Sequence, residues 1–99
     1  MIQCAPVKGT DTVKVTFTVP LDGHDDPVAV AGDFNDWDPT ANPLARRGDS
    51  CTASVVVGSG RRYAFRYHTE GGEWFNDEAA DAYESNGMGE DNSIVDLTG

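Results

Sequence analysis

Hydrophobic positions recur with a period of two through most of the chain. Val13, Val15, Phe17 and Val19 alternate with Lys14, Thr16 and Thr18, the pattern of a strand with one face in a core and the other in water. Pro20 ends that strand, and Leu21 to Pro27, with Gly23 and two adjacent aspartates, reads as a loop. The apolar run Val28 to Ala31 predicts a buried strand, and the turn formers from Gly32 to Pro39 place Trp37 in a loop at its end. Pro43-Leu44-Ala45-Arg46 predicts a short edge strand. Arg47-Gly48-Asp49-Ser50 is a tight turn from it into Cys51 to Val57, where Cys51, Ala53, Val55 and Val57 share a face, so that the two strands form a hairpin.

After the turn Gly58-Ser59-Gly60, the strand Arg61 to Thr69 sets Tyr63, Phe65 and Tyr67 on one face and Arg62, Ala64, Arg66 and His68 on the other. Three aromatics at period two belong in a core. Glu70-Gly71-Gly72-Glu73 turns the chain into Trp74-Phe75, Asn76 to Asn92 is expected as a long polar connection, and Ser93 to Leu97 closes the chain as a last strand. Within the connection, Asp77 to Glu84 allows one or two helical turns, although its apolar residues are mostly alanines and Gly87 and Gly89 follow. Residues 1 to 11 read as an N-terminal extension. About seven short strands separated by turn signals predict an all-β domain, an antiparallel β-sandwich.

Ninety-nine residues make one domain, far short of the roughly 250 that a catalytic barrel acting on polysaccharides requires. Seventeen acidic against seven basic residues give a net charge of −10, which repels phosphate backbones and anionic bilayers and excludes nucleic acid and membrane as partners. Cys4 and Cys51 are too few for a disulfide framework, and the N-terminus lacks the pattern of a signal peptide, so both thiols are expected reduced in a cytoplasmic protein.

Candidate chemistry narrows further. Asp33, Asp36 and Asp38 invite calcium, but the loop lacks the glycine and terminal glutamate of an EF-hand, and turn capping accounts for them better. Cys4, Cys51, His24 and His68 have no zinc spacing. Asp77, Glu78 and Asp81 could supply paired carboxylates for glycoside hydrolysis, yet proximity of acids is expected by chance in so acidic a chain and no cleft is implied. No catalytic residue, metal or cofactor is therefore assigned. His68 is read as a surface residue. Trp37 could be a lid folded onto the core or an exposed platform; Trp74, after a Gly-Gly turn, favours partial exposure.

Val28 to Trp37, followed by Tyr63-Ala64-Phe65-Arg66-Tyr67, Gly72-Glu73-Trp74 and Met88-Gly89-Glu90-Asp91-Asn92-Ser93-Ile94-Val95, resembles in order and spacing the isoamylase-type early-set domain. This is the family 48 carbohydrate-binding module, found on glycogen branching and debranching enzymes and in the β subunit of AMP-activated protein kinase. The resemblance runs from about Val13 to Leu97. It implies an immunoglobulin-like sandwich that holds α-1,4-glucan, as glycogen or starch, on two tryptophans. Carried over, Trp37 and Trp74 would stack on sugar, Met88 would push into the curve of the glucan and Asn92 would hydrogen-bond its hydroxyls. The family's threonine between those last two positions is Glu90 here. Its lysine before the second tryptophan is Ala64, for which Arg66, two residues on and on the same face, is the expected substitute. The chain is thus expected to be a non-catalytic module with α-glucan as partner; the rival expectation is a protein-interaction module that docks onto a glucan-metabolising enzyme.

Overall fold

The computed structural model describes residues 2–20, 27–85, 87 and 89–98. Nine strands run in chain order: β1 Ile2–Pro6, β2 Thr12–Pro20, β3 Pro27–Gly32, β4 Ala45–Arg47, β5 Ser50–Gly58, β6 Arg62–Thr69, β7 Trp74–Phe75, β8 Ala82–Ser85 and β9 Asp91–Asp96. They form two antiparallel sheets, ordered β1-β2-β5-β4 and β3-β6-β9-β8, with β7 also paired to β6. The described residues contain no helix. The architecture is the all-β antiparallel sandwich that the alternating pattern predicts, immunoglobulin-like as the resemblance implies.

The period-two rows become facing rows of core. In the first sheet Val13, Val15, Phe17 and Val19 stand opposite Val57, Val55, Ala53 and Cys51. In the second, Tyr63 and Phe65 stand opposite Val95 and Ser93, and Val30 opposite Tyr67. Val15, Phe17, Val30, Phe65, Tyr67 and Val95 are all but sealed from solvent. Phe17 is the hinge of the aromatic packing, with Phe34, Phe65 and Tyr67 around it at centroid distances of 5.7, 4.8 and 6.3 Å. Burying one such side chain contributes about 1.5–3 kcal/mol, so these rows hold the two sheets together.

Two strands escaped the periodic pattern. The expected N-terminal extension contains β1, which pairs with β2 from Ile2↔Phe17 to Pro6↔Val13. The expected long polar connection contains β8, in register with β9 from Ala82↔Ile94 to Ser85↔Asp91, where the sequence allowed helical turns. Both are edge strands of five and four residues, mostly exposed, so neither carries an apolar face from which a period can be read. Cys4 lies exposed on β1 and Cys51 buried on β5, and neither forms a disulfide.

The segment between β7 and β9 is anchored by a buried carboxylate. Asp77 is 4% exposed; Tyr67 donates its phenol to Asp77 Oδ2, and the Ala79 amide donates to Oδ1 at 2.7 Å. The Asp77 amide donates to Ser93 Oγ at 2.9 Å, and Tyr83 donates to the Asp77 carbonyl. Asp77 is therefore a brace inside the fold, unlike the surface acid its neighbours Glu78 and Asp81 suggest.

Candidate functional site

Because Tyr63, Phe65 and Tyr67 point into the core, Ala64, Arg66 and His68 line the outer face of β6. Their cross-strand neighbours share that face: Ala31 opposite Arg66, Ala29 opposite His68, Ile94 opposite Ala64 and Trp74 opposite His68. Asn92, two residues before Ile94, belongs to the same row and stands opposite Glu84. Ala29, Ala31 and Ile94 are buried although they face away from the core cluster. The outer face thus has an apolar floor of small residues beneath its polar ones.

Trp37 lies in the loop after β3. A Cβ on Gly32 would fall 2.3 Å from the Ala64 carbonyl oxygen, so only glycine lets β3 leave the sheet so close to β6. The Gly32 carbonyl then accepts from the amides of Asn35 at 3.1 Å and Trp37 at 2.9 Å. The Asn35 side chain accepts from the Gly32 amide at 3.0 Å and donates to the Val30 carbonyl at 3.1 Å and to Asn42 Oδ1 at 2.8 Å. Asp36 and Trp37 adopt left-handed φ values of 57° and 59°, a conformation that costs residues with a Cβ.

Asp33 ties that loop to β6. Its amide donates to the Ala64 carbonyl at 2.9 Å and its Oδ2 accepts from the Ala64 amide at 2.8 Å. Its Oδ1 accepts from the Trp37 indole Nε1 at 3.1 Å. The indole N–H is thereby occupied, and what Trp37 has to offer a ligand is its ring. Asp38 accepts from the amide and hydroxyl of Thr40 at 2.8 and 2.7 Å, bonds that hold its carboxyl below the usual carboxylate range. The loop aspartates are turn chemistry, as their spacing suggested.

At the other end of the β6 row, Trp74 keeps 36% of its surface exposed and meets His68 edge to face, with ring centroids 4.6 Å apart. The next residue, Phe75, turns inward against Tyr67. Asn76 fastens the strand end to β9, donating to the Asp91 carbonyl at 2.9 Å and accepting from Ser93 Oγ at 2.8 Å. Among the described residues neither tryptophan packs against the core cluster, whereas Phe34 and Phe75, their aromatic neighbours in sequence, do.

Arg66 lies between the two ends, on the row of Ala64 and His68. Only 14% of its side-chain surface is exposed, and its Nη1 donates to Glu90 Oε2 at 2.6 Å. Its Nε is buried with no acceptor among the described residues. Sequence reasoning named Trp37, Trp74, Arg66 and Asn92: Arg66, Trp74 and Asn92 stand on strands of one sheet, and Trp37 stands in the loop that Asp33 ties to β6 at Ala64; Met88 lies outside the described residues, as does His24. It missed Asp33 and Asn35 as the supports of Trp37, His68 as the neighbour of Trp74, and the pairing of Glu90 with Arg66. An asparagine two residues before a tryptophan in a turn was the available signal for the first of these.

Trp74 on β7 and Trp37 in the loop after β3 both stand clear of the core cluster, at two places along β6. The chain belongs to the carbohydrate-binding module 48 (isoamylase N-terminal domain) family, whose profile matches residues 9–84. Trp37, Arg66 and Trp74 lie inside the matched segment, and Glu90 and Asn92 beyond it. A comparison with curated proteins finds no match.

Proposed function

We propose that this domain binds α-1,4-glucan, as glycogen, starch or maltooligosaccharide, without catalysing any reaction on it. The observation that carries the proposal is that neither Trp37 nor Trp74 packs against the core cluster, while the Trp37 loop is tied to β6 at Ala64, Trp74 meets His68 and Arg66 lies between those two positions. Ala64, to which the Trp37 loop is tied, and His68, which Trp74 touches, are four residues apart. At about 3.3 Å per residue these two anchor points stand roughly 13 Å apart along the strand, a span that several sugar units of a curved chain can bridge.

A pyranose ring presents a face of C–H groups and a rim of hydroxyls, which suits an indole plane beside amides and a guanidinium. Covering about 100 Å² of apolar surface at each tryptophan contributes about 2.5 kcal/mol, or about 5 for both. Association costs at least about 4 kcal/mol, so binding to short oligosaccharides is weak and multivalent glycogen is held far better. Neither cysteine forms a disulfide, which favours a reducing, cytoplasmic compartment.

Native gels cast with glycogen, and tryptophan fluorescence titrated with maltoheptaose and cellohexaose, test the proposal. Retardation by glycogen and a response to maltoheptaose but not cellohexaose are expected, with Trp37→Ala and Trp74→Ala each weakening both. No retardation and no fluorescence change would sink the glucan reading and favour docking of the same face onto a glucan-metabolising enzyme.

A further inference from the structure

We propose that β1 is the contact edge of a two-fold dimer, in which the strand pairs with β1 of a second copy of this chain and joins two four-stranded sheets into one. A strand at a sheet edge offers its outward N–H and C=O groups to another chain unless charge, shortness, a bulge or a cover prevents it. The other edges are protected in one of these ways. β4 is three residues long and carries Arg46 and Arg47, β7 has two residues, and β8 carries Glu84 and follows Asp81. The edge of β3 is covered, with the Val30 amide donating to the Asn42 carbonyl at 3.1 Å and Ala29 bridged to Pro43. β1 has no charged residue, and its register with β2 runs unshifted from Ile2 to Pro6.

The ladder fixes which backbone groups of β1 are free. The Val7 amide donates to the Thr12 carbonyl at 3.0 Å, which makes these two a hydrogen-bonded pair that continues the β1–β2 register. Such pairs alternate along an antiparallel ladder. Gln3 and Ala5 therefore turn their backbone groups to β2, and Ile2, Cys4 and Pro6 turn theirs to the open edge. Pro6 falls where its missing N–H costs the ladder nothing. Cys4 is the middle residue of the strand. With two copies antiparallel about a two-fold axis at Cys4, the Cys4 residues exchange two hydrogen bonds and each Ile2 amide donates to the Pro6 carbonyl opposite. The edge is thus complementary to itself, as the contact of a two-fold dimer must be.

A chain of net charge −10 meets its own copy most easily where acids are sparse. β1, β2, β4 and β5 contain Lys14, Arg46 and Arg47 and no Asp or Glu, so the acids lie on the other sheet and in the loops. Burial and the nearby Asp81 carboxylate raise the Cys4 thiol above its ordinary value, and the two side chains at the axis meet uncharged. Trp74 and the anchor of the Trp37 loop belong to the other sheet. On the glucan reading above, the dimer therefore carries two sugar sites, and its hold on glycogen gains from both.

Sedimentation velocity of the full chain from about 1 µM to 1 mM tests the dimer. The dimer fraction should rise with concentration, and rise further as sodium chloride goes from about 0.01 to 0.5 M and screens the repulsion. Oxidation with copper phenanthroline should link two chains through Cys4, because Cα atoms of a hydrogen-bonded pair stand about 5.5 Å apart, within reach of a disulfide. Cys4→Ser should keep the dimer and lose the link. Cys4→Pro deletes only an outward amide and Cys4→Lys sets like charges on the axis, so each should weaken association about tenfold or more with little change in melting temperature. A parent chain that is monomeric at about 1 mM overturns the proposal, as does a dimer that survives both Cys4→Pro and Cys4→Lys. Cys4→Lys should bind maltoheptaose as the parent does and be retarded less by glycogen; equal retardation overturns the gain from two sites. A dimeric parent that binds no maltoheptaose overturns the glucan reading and leaves the dimer standing.

Discussion

Trp37 is held in place by residues that need never touch a ligand. Two consecutive residues with left-handed φ, Asp36 and Trp37, cost about 1–3 kcal/mol each, and the Asn35 and Asp33 hydrogen bonds offset that strain. Asn35→Ala removes three side-chain bonds at once and leaves partly buried backbone groups without partners, a loss of about 1–3 kcal/mol. The melting temperature should fall by roughly 4–8 °C per kcal/mol, which calorimetry reads. Glycogen retardation of the folded fraction should fall as it does for Trp37→Ala. A variant that melts lower but is retarded as strongly as the parent would mean that the loop does not set the indole. That a tryptophan sat in this loop was legible from the turn residues around it. Its freedom from the core was not, because that depends on Phe34 taking the place beside Phe17, a contact between residues 17 positions apart in the chain.

At the scale of elements, the clearest strands in the sequence are those with one wet and one dry face, and β2, β5 and β6 come through with their alternation intact. β1 and β8 carried no such signal, since a short edge strand receives its geometry from the neighbour it pairs with. The link from β7 to β9 depends on Asp77 and Tyr67. Burial and the bond to Asp77 push the Tyr67 phenol well above its ordinary value of 10.0. A group whose proton is held more tightly in the folded state contributes stability that is complete below its unfolded value and drains away as pH climbs from there towards the folded value. The domain should therefore lose stability above about pH 10, with Tyr67 ionising only as the chain unfolds, seen as phenolate absorbance rising together with loss of far-ultraviolet dichroism. Tyr67→Phe should lower stability at neutral pH by about 1–3 kcal/mol, because the buried Asp77 carboxylate loses a donor, and should flatten the alkaline decline. Phenolate absorbance equal to three tyrosines in the still-folded protein would contradict the burial of this hydroxyl.

For the whole molecule, a charge of −10 on 99 residues sets a general repulsion that works against compactness. Salt screens it, with a Debye length of about 10 Å at 0.1 M, so the melting temperature should rise as sodium chloride is raised from about 0.01 to 0.5 M. The Arg62–Glu84 pair weakens under the same conditions, but exposed pairs contribute about 1 kcal/mol at most, too little to reverse the trend. A melting temperature that falls steadily with salt would show that specific ion pairs outweigh the net charge. Maltoheptaose is neutral and should gain or lose nothing from long-range steering. The acidity therefore acts on folding and solubility and leaves recognition to contacts within the site.

What the sequence determined by itself was everything carried by local alternation: the all-β class, the facing rows of core on β2, β5 and β6, and an outward face on β6 that includes Arg66. Period and turn chemistry are properties of neighbours in the chain, so they can be read without the fold. Tertiary structure alone decided which distant residues meet. It ties the loop of Trp37 to Ala64 and sets Trp74 against His68, buries Asp77 against Tyr67 and brings Glu90 across 24 positions to Arg66. The physical reason is register: pairing β6 with β3, β7 and β9 fixes which outward residues become neighbours, and hydrogen-bonded register between distant strands leaves no trace in the local pattern of either.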